Sequence, residues 1–75
     1  MKQIVKEIRK RENVIIRIGR GNLGGYNYGE IRQYTVDEIG NYIPTQKGLT
    51  FSPELIDELI DGFNKLKIMF KDSKG

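Results

Sequence analysis

The amino-acid sequence predicts an α+β fold in which a four-stranded antiparallel sheet is followed by one C-terminal helix (β-β-β-β-α). Three observations predict it. β-branched and aromatic residues alternate with polar ones as far as Phe51. Glycine- and asparagine-rich turns divide this region, and a Pro-started amphipathic stretch follows it. The 75 residues are expected to form one domain, 1–75, with a thin core, and small domains of this kind commonly associate.

The first two strands differ in how clearly the sequence marks them. Residues 3–11 alternate imperfectly and could also begin a helix, but we interpret them as a strand. Residues 14–18 are clearer because β-branched residues dominate, and the alternation places Arg17 on the face opposite Ile16 and Ile18. Residues 20–25 (RGNLGG) are predicted to be a loop because of their glycine content.

The third strand is predicted over residues 26–35 and the fourth over residues 42–51, with a polar turn over 37–41 between them. Pro44 indicates an edge position or a bulge in the fourth strand. Alternation in the third strand places rings and a guanidinium in a row on one face. That row contains Tyr26, Tyr28, Glu30, Arg32 and Tyr34.

The predicted helix begins with Ser52 at the N-cap and Pro53 at the first helical position. Its apolar residues form two adjacent rows, which is wider than one packing seam requires. We therefore expect one row to pack on the sheet and the other to meet a partner helix in a homodimer. Gly62, within the helix, is expected to permit a close approach of a neighbouring element. Residues 71–75 are expected to fray. The predicted dimer interface contains Ile56, Ile60, Phe63 and Phe70.

Composition argues against several classes of function. The chain has no cysteine and no histidine, so zinc ligands and nucleophile–base pairs are not recognisable, and we predict no enzyme, cofactor, metal or small-molecule substrate. Residues 19–24 spell G-x-G-x-x-G, but a tyrosine-rich strand follows where a dinucleotide site needs a helix. The first ten residues are charged and lack a long apolar run, so we expect a cytoplasmic protein without a membrane partner.

The basic residues are concentrated in the predicted sheet. Residues 1–50 carry nine Lys/Arg against five Asp/Glu, whereas residues 51–75 carry four against five, within a net charge of +3. Single-stranded nucleic acid is held by cations along its phosphates and by rings on which its bases stack. We therefore predict that the sheet binds single-stranded nucleic acid. The predicted contacts are the cations Arg17, Arg20, Arg32 and Lys47 and the rings of Tyr26, Tyr28 and Tyr34.

Two segments resemble the signature of the transcriptional positive cofactor four (PC4) family, whose members carry I-R-E-Y and then P-G-K/R-K-G-I-S-L before a helix. The matching residues are Ile31-Arg32-Gln33-Tyr34 and Pro44-x-x-Lys47-Gly48-Leu49-Thr50-Phe51-Ser52-Pro53-Glu54, and the likeness is greatest to the small bacterial members of the YdbC type. The resemblance implies a homodimer whose antiparallel sheets form a cradle for single-stranded DNA, sequence-independent binding, and a role in transcription, replication or repair.

The same resemblance implies a phosphate or base contact for Arg32 and a phosphate contact for Lys47 beside the close backbone of Gly48. Tyr34 matches the family tyrosine and can be structural instead of stacking. Two departures stand out: Gln33 replaces the family glutamate, and Thr35 replaces an aromatic residue often found there. The missing ring can be replaced by any of three tyrosines, and the sequence does not choose among Tyr26, Tyr28 and Tyr42.

Two other interpretations remain open on the sequence alone. The protein can be an RNA-binding regulator that uses the same face, since contacts to the 2′-hydroxyl are not legible in a sequence. It can also be a protein-interaction module whose sheet edge or apolar helix docks a protein, with the basic face incidental.

Overall fold

The computed structural model describes residues 3–72. These residues form strands β1 (Gln3–Arg11), β2 (Val14–Leu23), β3 (Tyr26–Val36) and β4 (Tyr42–Phe51), a 3₁₀ turn (Pro53–Leu55) and helix α1 (Ile56–Asp72). All neighbouring strands are antiparallel, in the order β1-β2-β3-β4. The predicted β-β-β-β-α order is confirmed. The helix includes two residues of the expected tail, and 73–75 lie outside the described residues.

The predicted loop over residues 20–25 is wrong, because β2 continues to Leu23 and only two glycines form the turn. The β2–β3 hairpin pairs without a register shift from Val14–Thr35 to Leu23–Tyr26. Gly24 and Gly25 have φ angles of 58° and 88°, which a tight two-residue hairpin turn requires and which glycine adopts without strain.

The glycines within β2 serve packing between strands. Gly21 pairs with Tyr28, and an added Cβ at Gly21 would lie 2.7 Å from the Cε1 atom of that ring. The phenol ring therefore lies across the glycine. Glycine in this segment therefore accommodates a large side chain on the neighbouring strand, whereas glycine content alone predicts a loop.

Both outer strands contain irregularities. The pairing of β1 with β2 shifts between Ile4 and Lys6 and again between Arg9 and Arg11. In β4 the register shifts between the pairs Arg32–Gly48 and Tyr34–Pro44, so residues 45–47 bulge out of the ladder. The prediction of an edge strand or a bulge at Pro44 is confirmed on both counts.

Cross-strand pairing divides the sheet into two faces of different chemistry. Residues directly opposite each other share a face, as do alternate residues of one strand. We call one side the arginine face; its central residues are Ile15, Arg17, Glu30, Arg32 and Tyr34. We call the other the helix-side face; its central residues are Ile16, Ile18, Ile31, Leu49 and Phe51.

The buried part of the sheet is small. Among the described residues, only three apolar side chains are classed as buried, namely Val14, Ile15 and Tyr34, and two of them belong to the arginine face. On the helix-side face, Leu49 remains half exposed. A single chain therefore leaves much of its apolar surface in contact with water.

The helix begins where the sequence predicts, with Ser52 at the N-cap and Pro53 after it. The Ser52 hydroxyl makes no hydrogen bond to a backbone cap position. Hydrogen bonds to the Glu54 carboxylate, from its own backbone amide and from the Ser52 hydroxyl, lower the pKa of that carboxyl. The carboxylate is thus stabilised at the helix N-terminus, where negative charge is favourable.

None of the residues of α1 is buried. Ile56, Ile60 and Phe63 line a groove of about 600 Å³ between the helix and the helix-side face, together with Ile18 and Phe51. The expectation that one apolar row packs tightly on the sheet is therefore not met within one chain. An added Cβ at Gly62 meets nothing within 4 Å in this chain, so a close approach there needs another molecule.

Replacing Gly48 by alanine should destabilise the sheet. An added Cβ would overlap the Ile31 carbonyl oxygen and lie 2.8 Å from the Arg32 Cα, and backbone atoms cannot move away as a flexible side chain can. We expect Gly48→Ala to lower the free energy of unfolding by about 1–3 kcal/mol, measured by urea denaturation. Gln46→Ala, at an exposed position of the same strand, should change it by about 0.5 kcal/mol or less. Equal stability of both variants would contradict the close approach.

Candidate nucleic-acid interface

Arg17 is held at the centre of the arginine face by three groups. Its Nε donates to the Glu7 carboxylate at 2.8 Å, across the β1–β2 pair. Its guanidinium carbon lies 4.1 Å from the centroid of the Tyr42 ring and 4.9 Å from that of Tyr34. A planar guanidinium stacks well on aromatic faces, and here it lies over two tyrosine rings that come from different strands.

Arg32 joins β3 to the bulge in β4. Its Nε donates to the Glu30 carboxylate at 2.7 Å, and its Nη1 donates to the Thr45 carbonyl oxygen at 2.8 Å. Both Arg32 and Glu30 are largely removed from solvent, where charge-assisted hydrogen bonds are strong and costly to break. The signature arginine is therefore a structural bridge in this chain.

The bulge carries the predicted lysine. The Thr45 hydroxyl donates to the Gln33 carbonyl oxygen at 2.7 Å and accepts from the Lys47 backbone amide at 3.1 Å. These bonds hold residues 45–47 against β3, beside the close contact of Gly48 with the Arg32 backbone. Lys47 is exposed, and no ion pair within residues 3–72 involves it. Its ammonium is therefore available to an external anion.

The structure separates two of the predicted contacts from the rest. Arg20 pairs with Gly29, so it lies on the helix-side parity of β2, and its Nη2 donates to the Asn27 side chain at 3.3 Å. Tyr26 is at the hairpin tip, paired with Leu23 and 80% exposed. Arg17, Arg32, Tyr34 and Gly48, by contrast, lie on adjacent strands of one face.

The tyrosines differ sharply in how much ring surface they offer. Tyr34 is only 7% exposed, so it is a core residue with no open ring face for a base. Tyr28 is half-buried because its ring lies across Gly21. Tyr42, which was one of three open alternatives, retains 43% exposure at the edge of the arginine face. Exposure and position together favour Tyr42 over Tyr26 and Tyr28 as the ring that is available to a base.

Glu7, Arg9 and Thr45 belong to this site although the sequence did not indicate them. Glu7 pairs with Arg17, and Arg9 pairs with Ile15, so both lie on the arginine face. The sequence does show that Glu7 and Arg9, two positions apart, would share one face of β1. It does not show which residues of β2 they pair with. Thr45 gave no signal, because its role depends on the bulge.

Ion pairs within the chain reduce the attraction that some of the predicted cations can exert on an anionic ligand. Arg17 and Arg32 each face a carboxylate, so their net contribution to the potential of the face is small. Lys47 and Arg9 are exposed, and the ion pairs within residues 3–72 do not include either of them. Attraction of a polyanion therefore depends more on Lys47 and Arg9 than on the two central arginines.

The described part of the chain contains no cluster of three or more His, Cys, Asp or Glu side chains that could hold a metal ion. Among the described helices, none is long and apolar enough to cross a membrane.

Comparison with known proteins agrees with the fold. The sequence model of the family described as Transcriptional Coactivator p15 (PC4) matches residues 9–62, well over half of the chain. The chain belongs to the PC4 family. The match includes β2, β3, β4 and the first part of α1, and so most of the arginine face. The resemblance seen in the signature residues is confirmed.

Solved structures show the same relationship. The tetragonal crystal form of BPSL1147, a PC4 homolog from Burkholderia pseudomallei, superposes with a TM-score of 0.84 at 27% identity, covering 89% of this chain and 98% of that one. Its orthorhombic form superposes with a TM-score of 0.78 at 26% identity, covering 97% and 92%. No curated protein matches the chain. Membership of the PC4 family supports a nucleic-acid-binding, coactivator-type role.

The Arg32 bridge predicts a selective loss of stability in this PC4 family member. A lysine at position 32 keeps the charge but cannot donate to both the Glu30 carboxylate and the Thr45 carbonyl in the same fork geometry. We expect Arg32→Lys to lower the free energy of unfolding by about 1–3 kcal/mol in urea denaturation. Arg11→Lys, at an exposed position of β1, is the matched control and should be near neutral. A neutral Arg32→Lys variant would show that the bridge is dispensable.

Proposed function

We propose that this chain is a homodimeric, sequence-independent single-stranded DNA-binding protein that holds DNA on the arginine face. The observation that carries the proposal is the composition of the arginine face, where tyrosine rings, two paired arginines and the exposed Arg9 lie on adjacent strands beside the bulge that carries the exposed Lys47. Family membership supports the same partner class. We propose binding in place of catalysis, in the cytoplasm, with a role in transcription, replication or repair.

The mechanism combines electrostatic attraction with stacking. Lys47 and Arg9 attract the phosphates, while Arg17 and Arg32 shape the surface through their bonds to Glu7 and Glu30. Contacts to phosphates carry no sequence information, and every base offers a flat ring surface for stacking. Binding of this kind depends on access to unpaired bases, so it favours a single strand over a duplex.

The homodimer is supported by the surface that one chain leaves uncovered. Ile56, Ile60 and Phe63 are each between 42% and 56% exposed, and they border a groove of about 600 Å³. Burial of one such side chain contributes about 1.5–3 kcal/mol. A second copy of α1 supplies matching apolar side chains, and an isologous interface of this kind leaves both arginine faces open.

Single-stranded DNA should bind more tightly than duplex DNA of the same sequence, and the affinity should fall with salt. Removal of one phosphate contact reduces the slope of log affinity against log salt by about 0.7 on a single strand. We expect Lys47→Ala to show this reduction in fluorescence-anisotropy titrations of a labelled oligonucleotide at several salt concentrations. Lys67→Ala, on α1, should leave the slope unchanged.

Other outcomes of those titrations would favour the alternatives. An oligoribonucleotide bound more tightly than the matching DNA would favour an RNA-binding regulator. Failure to bind either form at low salt would favour a protein-interaction module and overturn the proposal. A salt-independent affinity would contradict the electrostatic mechanism even if binding occurred.

Phe63→Glu should dissociate the dimer. The substitution places a charge in the apolar groove, where burial without a partner is costly. We expect sedimentation equilibrium to give twice the 8.7 kDa chain mass for the unmodified protein and a lower mass, with reduced thermal stability, for Phe63→Glu. Asn64→Glu adds the same charge at the neighbouring exposed position and should stay dimeric. A monomeric and stable unmodified protein would refute the interface.

A further inference from the structure

We infer that Tyr42 is the base-stacking platform of this protein, and that Arg17 positions its ring instead of contacting DNA phosphates. The inference rests on the proposed function and deepens it. It assigns the stacking role, which the sequence left open among three tyrosines, to a residue of β4 outside the family signature. It also gives Arg17 a different role from the one that its charge suggests.

Three observations select Tyr42. Its guanidinium neighbour lies 4.1 Å from one face of the ring, yet the residue is 43% exposed, whereas a ring covered on both faces would expose only its edge. Much of the Tyr42 side chain therefore remains accessible on the side that Arg17 does not contact, where a base would stack. The other tyrosines of the face are less available, since Tyr34 is a core residue and Tyr28 lies across Gly21.

Position separates Tyr42 from the exposed ring at the hairpin tip. Tyr26 lies six residues from Arg32 along β3, which is about 20 Å in an extended strand. Tyr42 pairs with Val36, only four residues from Arg32 along β3, and it precedes on its own strand the bulge that carries the exposed Lys47. A strand of DNA that follows β4 would meet both the ring and the lysine.

Arg17 forms the layer beneath the platform. Its guanidinium lies over the rings of both Tyr34 and Tyr42, and the Glu7 carboxylate at 2.8 Å fixes its orientation. The guanidinium thus contacts one buried and one exposed tyrosine, and a base stacked on the exposed Tyr42 would extend this cluster outward. Because Glu7 balances its charge and Tyr42 covers it, Arg17 contributes little to phosphate attraction and much to holding the ring in place.

The test compares a labelled oligothymidine with an abasic strand of equal length and charge. Tyr42→Ala should weaken binding to oligothymidine on the order of 5- to 150-fold, the range for loss of one stacked base, and leave abasic binding and the salt slope unchanged. Tyr42→Phe should bind within about twofold of the unmodified protein. The chain has no tryptophan, so tyrosine emission is observable, and Tyr42→Phe should lose most of the quenching that DNA produces.

Arg17→Lys separates positioning from phosphate contact. A lysine keeps the charge, but its ammonium cannot stack on the two tyrosine rings as the planar guanidinium does, so the Tyr42 ring loses its support. Binding to oligothymidine should therefore weaken, while binding to the abasic strand stays the same. Tyr26→Ala is the control for loss of a ring elsewhere. The inference is overturned if Tyr42→Ala binds oligothymidine as tightly as the unmodified protein, or if Tyr26→Ala alone abolishes the preference for bases. If the unmodified protein binds neither strand, the proposed function fails as well.

Discussion

A four-stranded sheet has two faces, and this chain has one helix with which to cover them. α1 borders the helix-side face without burying any of its own residues, and few apolar side chains in the described part of the chain are removed from water. Buried apolar area contributes about 25 cal/mol per Å², so this open groove represents stabilisation that one chain does not obtain. The other features follow from this constraint: the apolar residues concentrate on one side, and the opposite side can carry polar and aromatic groups.

The arginine face is built mainly by charges that compensate one another. The Arg17–Glu7 pair joins β2 to β1, and Arg32, paired with Glu30 of its own strand, joins β3 to the bulge through Thr45. Each pair keeps a guanidinium from being buried without a partner. Their residue types suit a polyanion, but their immediate role is to fix backbone and rings. The ammonium of a side chain such as Lys47 is then left exposed and well hydrated, which suits the sequence-independent binding proposed for this chain.

The fold could be predicted because alternation, glycine turns and the Ser52-Pro53 helix start are local signals. The end of β2 could not, because Gly21 owes its identity to the Tyr28 ring on the neighbouring strand. The same limit applies to the site. Continuing the register of the Ile4–Gly19 pair would place Lys6 opposite Arg17, and the irregularity after Ile4 brings Glu7 there instead. A one-residue slip of this kind changes every cross-strand partner, and no local pattern reveals it.

The regular β2–β3 hairpin has a consequence for how the protein assembles. Its pairs are continuous, its turn is only two residues long, and every other strand joins a neighbour in sequence, so strand pairing needs only short loop closures. Hairpins of this kind form within about 1–10 μs, whereas association of two chains depends on their concentration. Strand pairing should therefore align Arg17 with Arg32 in a fast unimolecular step, and in the proposed homodimer completion of the core should be slower and bimolecular. Dilution would then reduce the stability of the protein before it altered the order of residues on its binding surface.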